Sequence, residues 1–137
     1  LPPIMDLLLC VDDDSITIML SKMVLTRTAY AKEIVTAHNG EEALEYLDHL
    51  IASSATVKPS LIFLDLNMPV MGGWEFLDAF AEPKYRDVFP DCKVIVLSST
   101  IDPKDIEKSK SYPMVLDFMP KPISKDLLEA VSQKLRS

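Results

Sequence analysis

Short apolar runs alternating with helix-like stretches predict an α/β fold, a parallel sheet covered on both faces by helices. Strand-like and helix-like segments follow one another from end to end of the 137 residues. The run Met5 to Val11 is continuously apolar and flanked by acids, the pattern of a strand buried on both faces. Apolar residues make up 48% of the chain, enough for one ordinary core without disulfide or metal staples. The length suits a single domain over residues 1–137.

After this first strand, Ser15 is placed to cap a helix whose apolar stripe is Ile16, Met19, Leu20, Met23 and Val24. Glu33 to Ala37 reads as a second strand. Asn39-Gly40 supplies turn chemistry before a helix from Glu41 to Leu50, where Ala43, Leu44, Leu47 and Leu50 share a face. Ile51 to Ser60 reads as a loop, and Leu61 to Leu64 as a third strand running into Asp65. Gly72-Gly73 breaks the chain before a helix carrying Trp74, Phe76, Leu77 and Phe80. Glu82 to Asp91, with Pro83 and Pro90, is a long connection. Val94 to Leu97 is the fourth strand, Pro103 to Ser109 a short polar helix, and Met114 to Met119 the fifth strand. Ser124 to Leu135, with Leu127, Leu128, Val131 and Leu135 in register, makes the fifth helix.

Fourteen basic against twenty-one acidic residues leave a net charge of −7. Such a field repels nucleic acid, and no basic cluster stands out, so direct DNA binding is not expected. No apolar stretch approaches the roughly 18 residues of a membrane span, and no signal peptide is visible. The chain is therefore placed in the cytoplasm, and Leu1 to Ile4 is read as a trimmed end or as an artificial leftover of expression. Cys10 and Cys92 both border apolar runs and read as buried free thiols of a reducing compartment.

In a parallel sheet with helices on both faces, ligands bind beyond the carboxyl ends of the strands. Strand one ends in Asp12-Asp13-Asp14, strand three in Asp65, strand four in Ser98-Ser99-Thr100, and strand five in Lys121-Pro122. Each has a bland reading on its own. An acidic triplet after a strand is usually a solvated turn or a cap, Asp65 could cap a helix, Ser98 could be a loop residue and Lys121 a surface charge. Their joint occurrence, each at a strand end, is what packing does not explain.

Those residues carry a resemblance to the receiver domains of two-component response regulators, from Leu7-Leu8-Leu9-Cys10-Val11-Asp12-Asp13 to Pro120-Lys121-Pro122. Its most specific piece is Leu64-Asp65-Leu66-Asn67-Met68-Pro69-Val70-Met71-Gly72-Gly73, which looks like the family's phosphoacceptor loop. Asn39-Gly40-Glu41-Glu42-Ala43-Leu44 resembles the family's entry into its second helix. The resemblance implies a flavodoxin-like sheet with strand order 2-1-3-4-5. It also implies that Asp65 is the nucleophile that becomes an aspartyl phosphate. Asp12, Asp13 and Asp65, with the backbone carbonyl of Asn67, would then hold Mg²⁺, for which Mn²⁺ can substitute. Lys121 and the Ser98 hydroxyl are placed to donate to the arriving phosphoryl oxygens. On that assignment the three carboxylates balance one divalent cation and one lysine.

The family pattern puts the acidic pair directly after Val11, which leaves Asp14 as a solvated turn residue. Phe118, three residues before Lys121, matches the family's aromatic switch position, though a strand aromatic that simply packs would look the same. His38 and His49 lie in a turn and at a helix end and are read as surface residues. A donor histidine would belong to a sensor histidine kinase or a histidine phosphotransfer protein, and output would pass to a downstream protein target. The sequence leaves the oligomeric state open. Ser111-Tyr112-Pro113-Met114 departs from the family's usual Gly-Ala approach to the fifth strand, and the loops at Ile51 to Ser60 and Glu82 to Asp91 look long. Such a chain is expected to be a signalling phosphoacceptor rather than an enzyme. One alternative is a Mg²⁺-dependent hydrolase working through an aspartyl phosphate. Such enzymes carry a second acid two residues after the nucleophile, where this chain has Asn67. The other is a phosphorylation-independent interaction module, against which the complete set Asp12, Asp13, Asp65, Ser98 and Lys121 argues.

Overall fold

The computed structural model describes residues 3–136. Along the chain come β1 (Met5–Val11), α1 (Ser15–Arg27), β2 (Ala31–Ala37), α2 (Gly40–Ala52), β3 (Leu61–Asp65), α3 (Gly73–Phe80) and α4 (Pro83–Arg86). They are followed by β4 (Lys93–Ser98), α5 (Pro103–Ser109), β5 (Val115–Pro120) and α6 (Lys125–Arg136). The five strands form one sheet in the order β2-β1-β3-β4-β5, every pairing parallel. This is the expected flavodoxin-like arrangement, and it brings all the strand carboxyl ends to one edge.

Alternate residues of the central strands feed two cores, one on each face. Leu9, Val11, Ile62, Leu64, Val94 and Val96 pack under α2 and α3, against Ala43, Leu47, Phe76, Leu77 and Phe80. Leu8, Cys10, Leu61, Phe63, Ile95 and Leu97 pack under α1 and α6, against Leu25, Leu128 and Val131. Burial on both faces is why these strands read as continuous apolar runs. It also pushes the Cys10 and Cys92 thiols up to about 12, and both are free and buried as expected.

Among the described residues six helices replace the expected five. The extra one, α4, is a single turn inside the stretch taken for a connection. Pro83 opens it with a preset φ and no N–H to leave unpaired. It buries Tyr85, whose hydroxyl donates to Asp48 of α2 at 2.7 Å.

The expected stripe of α1 is mostly the wrong face: of its five residues only Val24 packs against the core. Ile16, Met19, Leu20 and Met23 are 64, 55, 48 and 42% exposed, while Ile18, Ser21 and Leu25 face the core. Apolar residues lie on more than one side of this helix, and Ser21 in the buried row weakens the inward signal. The cap is Asp14, not Ser15: its Oδ1 accepts from the N–H groups of Ile16 at 3.0 Å and Thr17 at 3.4 Å.

Other boundaries move by a few residues. β2 begins at Ala31, and α2 runs to Ala52, two residues beyond its expected end. Both α1 and α2 terminate through residues with positive φ, Ala29 at 49° and Ser54 at 51°. The N–H groups of Tyr30 and Ala55 donate back to Leu25 and Leu50, each at 3.0 Å. Glycine usually marks such a stop, and neither position has one.

Candidate functional site

The register of β1 against β3 ends at Val11 opposite Leu64, so Asp12 and Asp65 leave neighbouring strand ends side by side. Ligand oxygens of Asp12, Asp13 and Asp65 all lie within 4.8 Å of one another. Asp12 and Asp65 are buried and Asp13 is exposed. The N–H of Asp14 donates to Asp12 Oδ1 at 2.9 Å, which fixes one face of that carboxylate.

Lys121 arrives from the end of β5, held by its N–H donating to the Ser98 carbonyl at 2.9 Å. Its Nζ lies 2.7 Å from Asp12 Oδ2 and 3.3 Å from Asp65 Oδ1. The Lys121 side chain is only 17% exposed, so these contacts are not diluted as a surface ion pair would be.

Burial, and then the Asp12 carboxylate, push the Asp65 carboxyl above the usual aspartate range, against Lys121 and an Asn67 N–H. Burial works against the charge of Lys121 too. There the hydrogen bonds and attraction from Asp12 and Asp65 win, and its pKa is raised. Three carboxylates beside one lysine leave an excess of negative charge. Oxygen-only donors with that excess fit a hard divalent cation.

The Ser98 hydroxyl is turned into its own loop. It donates to the Thr100 carbonyl at 2.6 Å and accepts from the Thr100 N–H at 3.2 Å. Phe118 pairs with Val96, two residues before Ser98, so Phe118 and Ser98 lie on the same face of the sheet. The ring is half-buried against the core under α2 and α3. With Ile106, Ser109, Lys110, Val115 and Leu116 it lines a cavity of about 140 Å³ between α5 and β5.

The loop after Asp65 is held at two glycines. A Cβ on Gly73 would stand 2.7 Å from the Asp65 carbonyl oxygen, so α3 starts in direct backbone contact with the strand end. The Gly40 N–H donates to the Met71 carbonyl at 2.8 Å, and a Cβ there would meet the Met71 side chain at 2.7 Å. Between them the Met71 N–H closes on the Pro69 carbonyl at 2.8 Å around Val70, whose φ is 67°. A β-branched residue there is strained.

The structure thus brings Asp12, Asp13, Asp65 and Lys121 together, sets Ser98 and Asn67 beside them, and keeps Phe118 one layer away. Asp14 is exposed, as expected of a solvated turn residue, and also caps α1, because the β1–α1 turn brings its carboxylate under the free N–H groups of the first turn. His38 pairs with Glu42 at 3.1 Å and His49 is exposed, both on the surface as expected. Sequence reasoning missed the loop-holding role of Gly40, which looked like turn chemistry alone. It also missed the side-chain link of Tyr112 to α3. The Tyr112 hydroxyl donates to Asp78 at 2.6 Å, and its ring stacks on Trp74. The only signal was the unusual bulk of Ser111-Tyr112-Pro113-Met114.

Comparison with known proteins agrees with this fold. The sequence profile of the response regulator receiver domain matches residues 8–133. The chain is 32% identical over 120 residues to the alkaline phosphatase synthesis transcriptional regulatory protein PhoP of Bacillus subtilis, covering 85% of this chain and 42% of that protein. It therefore spans less than half the length of that relative. Among solved structures, a two-component response regulator from Cytophaga hutchinsonii superposes with a TM-score of 0.87 at 31% identity, over 96% of this chain and 97% of that one. The phosphorylated cyanobacterial phytochrome response regulator RcpA superposes with a TM-score of 0.73 at 28% identity, over 94% and 90%.

Proposed function

The chain belongs to the response regulator receiver domain family, and from that premise we propose that Asp65 accepts a phosphoryl group from a phosphohistidine on a partner protein. The observation that carries the reading is the convergence of Asp12, Asp13 and Asp65 on Lys121 at one sheet edge. An Asp65 carboxylate oxygen attacks phosphorus, the P–N bond to the donor imidazole breaks, and the phosphoryl group ends as a mixed anhydride. Lys121 already touches Asp65 and can follow the growing negative charge onto the phosphoryl oxygens. Asp12, Asp13, Asp65 and the Asn67 carbonyl would hold Mg²⁺, or Mn²⁺ in its place, which supplies charge neutralisation on the transferred group.

The Ser98 hydroxyl is the second donor. Turning toward the phosphoryl group, it would release the Thr100 carbonyl and N–H and free the start of α5, with Phe118 following. A sensor histidine kinase or a histidine phosphotransfer protein would be the donor, and a protein target in the cytoplasm the recipient of the signal. Residues 1–137 would act as a receiver unit throughout, a signalling phosphoacceptor rather than a turnover enzyme.

The test is direct. Incubation with Mg²⁺ and a small acyl phosphate should add one phosphoryl group that hydroxylamine removes. Asp65→Asn should abolish the addition, because an amide is too weak a nucleophile. Stable labelling of the Asp65→Asn protein would overturn the assignment.

A further inference from the structure

α5 is lightly anchored. Of Pro103–Ser109 only Ser109 is buried, and the cavity of about 140 Å³ lies between the helix and β5. Its carboxyl end, however, is gripped by α3. The Lys108 ammonium stands 4.6 Å from the centre of the Trp74 ring. The Tyr112 ring, just past the helix, stacks on the same indole at 5.9 Å and 22°. The Tyr112 hydroxyl donates to Asp78 Oδ1 at 2.6 Å. Trp74 and Asp78 are four residues apart in α3 and so present one face. Burial, then the Asp78 carboxylate, push the Tyr112 phenol up to about 12, so near neutral pH it is a donor.

The α3 side of this clasp is fixed to the reactive strand. Trp74 follows Gly73, whose backbone lies against the Asp65 carbonyl too closely to admit a Cβ. The other side belongs to the helix that begins five residues after Ser98. Asp65 is therefore joined to α5 by two routes, the Ser98–Thr100 loop at the helix start and the clasp at its end. Trp74 and Tyr112 are half-buried against the core, but Lys108 and Asp78 are exposed, so water can replace the polar contacts of the clasp and it can open.

We propose that the Trp74–Lys108–Tyr112–Asp78 clasp is a brake on the receiver: it holds the carboxyl end of α5 against α3 before phosphorylation and opens when α5 resettles over the cavity beside Phe118. The inference rests on Asp65 being the phosphoacceptor. A brake lowers the population of the phosphoryl-competent state, and apparent affinity for anything that selects that state falls by the same fraction. Loosening it should therefore tighten binding at Asp65, which a merely structural contact would not do.

The probe is beryllofluoride with Mg²⁺, titrated by calorimetry into the full chain. Tyr112→Phe keeps the stacked ring and loses only the hydroxyl bond. It should lower the half-saturating beryllofluoride concentration about three- to tenfold, and hydrogen exchange over residues 103–112 should quicken before any beryllofluoride is added. Lys108→Ala should act in the same direction. Half-saturation unchanged or raised in both variants overturns the brake while leaving Asp65 as acceptor. If the parent protein does not respond to beryllofluoride at all, the acceptor reading fails, and the brake with it.

Discussion

As the proposed phosphoacceptor, Asp65 would have to be ionised to react, yet it sits where ionisation is disfavoured. Its folded-state pKa is raised by burial and by Asp12, so between the unfolded and folded values the native state binds more protons. Stability is therefore reduced as pH rises through that window, and the reduction persists at neutral pH. Replacing the carboxylate by an amide should remove it. Asp65→Asn is expected to melt a few degrees above the parent near pH 7 without added metal, and the gap should narrow as the pH falls into the acid range. Thermal melts at both pH values measure it; an Asp65→Asn protein that melts lower at pH 7 would show that Lys121 outweighs the desolvation. Its neighbours separate by role. Asp14→Ala should lower the melting temperature through the lost cap, whereas Asp14→Asn keeps an oxygen for the same N–H groups and should change little. Neither should affect labelling of Asp65. Asp13→Asn should do the reverse, leaving the melt nearly intact while weakening the Mg²⁺-dependent change in Trp74 fluorescence.

At the scale of elements, α1 shows what a sequence pattern can hide. Five apolar residues at three- and four-residue spacing read as the buried stripe, but all except Val24 face water, and a row broken by Ser21 faces the core. Periodicity reports that an apolar face exists and not which side of the helix the sheet occupies when two sides qualify. Met19→Gln and Leu20→Gln should each stay within about 0.5 kcal/mol of the parent in denaturant melts. Leu25→Ala, from a fully buried position, should cost about 2–5 kcal/mol. Where only one side qualified, as with Ala43 and Leu47 of α2 or Leu128 and Val131 of α6, the expected face is the buried one. Helix ends were blurred because Ala29 and Ser54 adopt the conformation that glycine usually announces. α4 was invisible because a single turn carries no period. α3 makes its own prediction: Gly73→Ala would force the helix start off the Asp65 carbonyl, slowing phosphorylation by more than any change in metal affinity accounts for, as labelling rates at saturating Mg²⁺ would show.

For the molecule as a whole, the acidic edge was legible because a parallel sheet gathers its strand ends, and four of those ends carried groups that packing had no use for. The strand order itself came from family resemblance; nothing in the periodicity selects 2-1-3-4-5 over another order. The clasp and the loop-holding glycines were not legible, since each joins segments far apart in sequence through contacts that only the assembled sheet creates. The same sheet also separates the two ends of the described segment from the acidic edge. Ile4 and Arg136 line one cavity, together with Tyr30 just before β2. Seven residues of β1 separate that end from Asp12, roughly 20 Å of extended chain. The molecule is thus wired like a plug, with Ile4 and Arg136 at the back and the acidic edge at the front. A bulky folded protein fused before residue 1 or after residue 137 should leave the rate of Asp65 labelling by a small acyl phosphate unchanged within about twofold. The same cargo inserted between Ser99 and Asp102 should abolish it, so the domain can be carried at either end of a larger assembly but not threaded through its reactive edge.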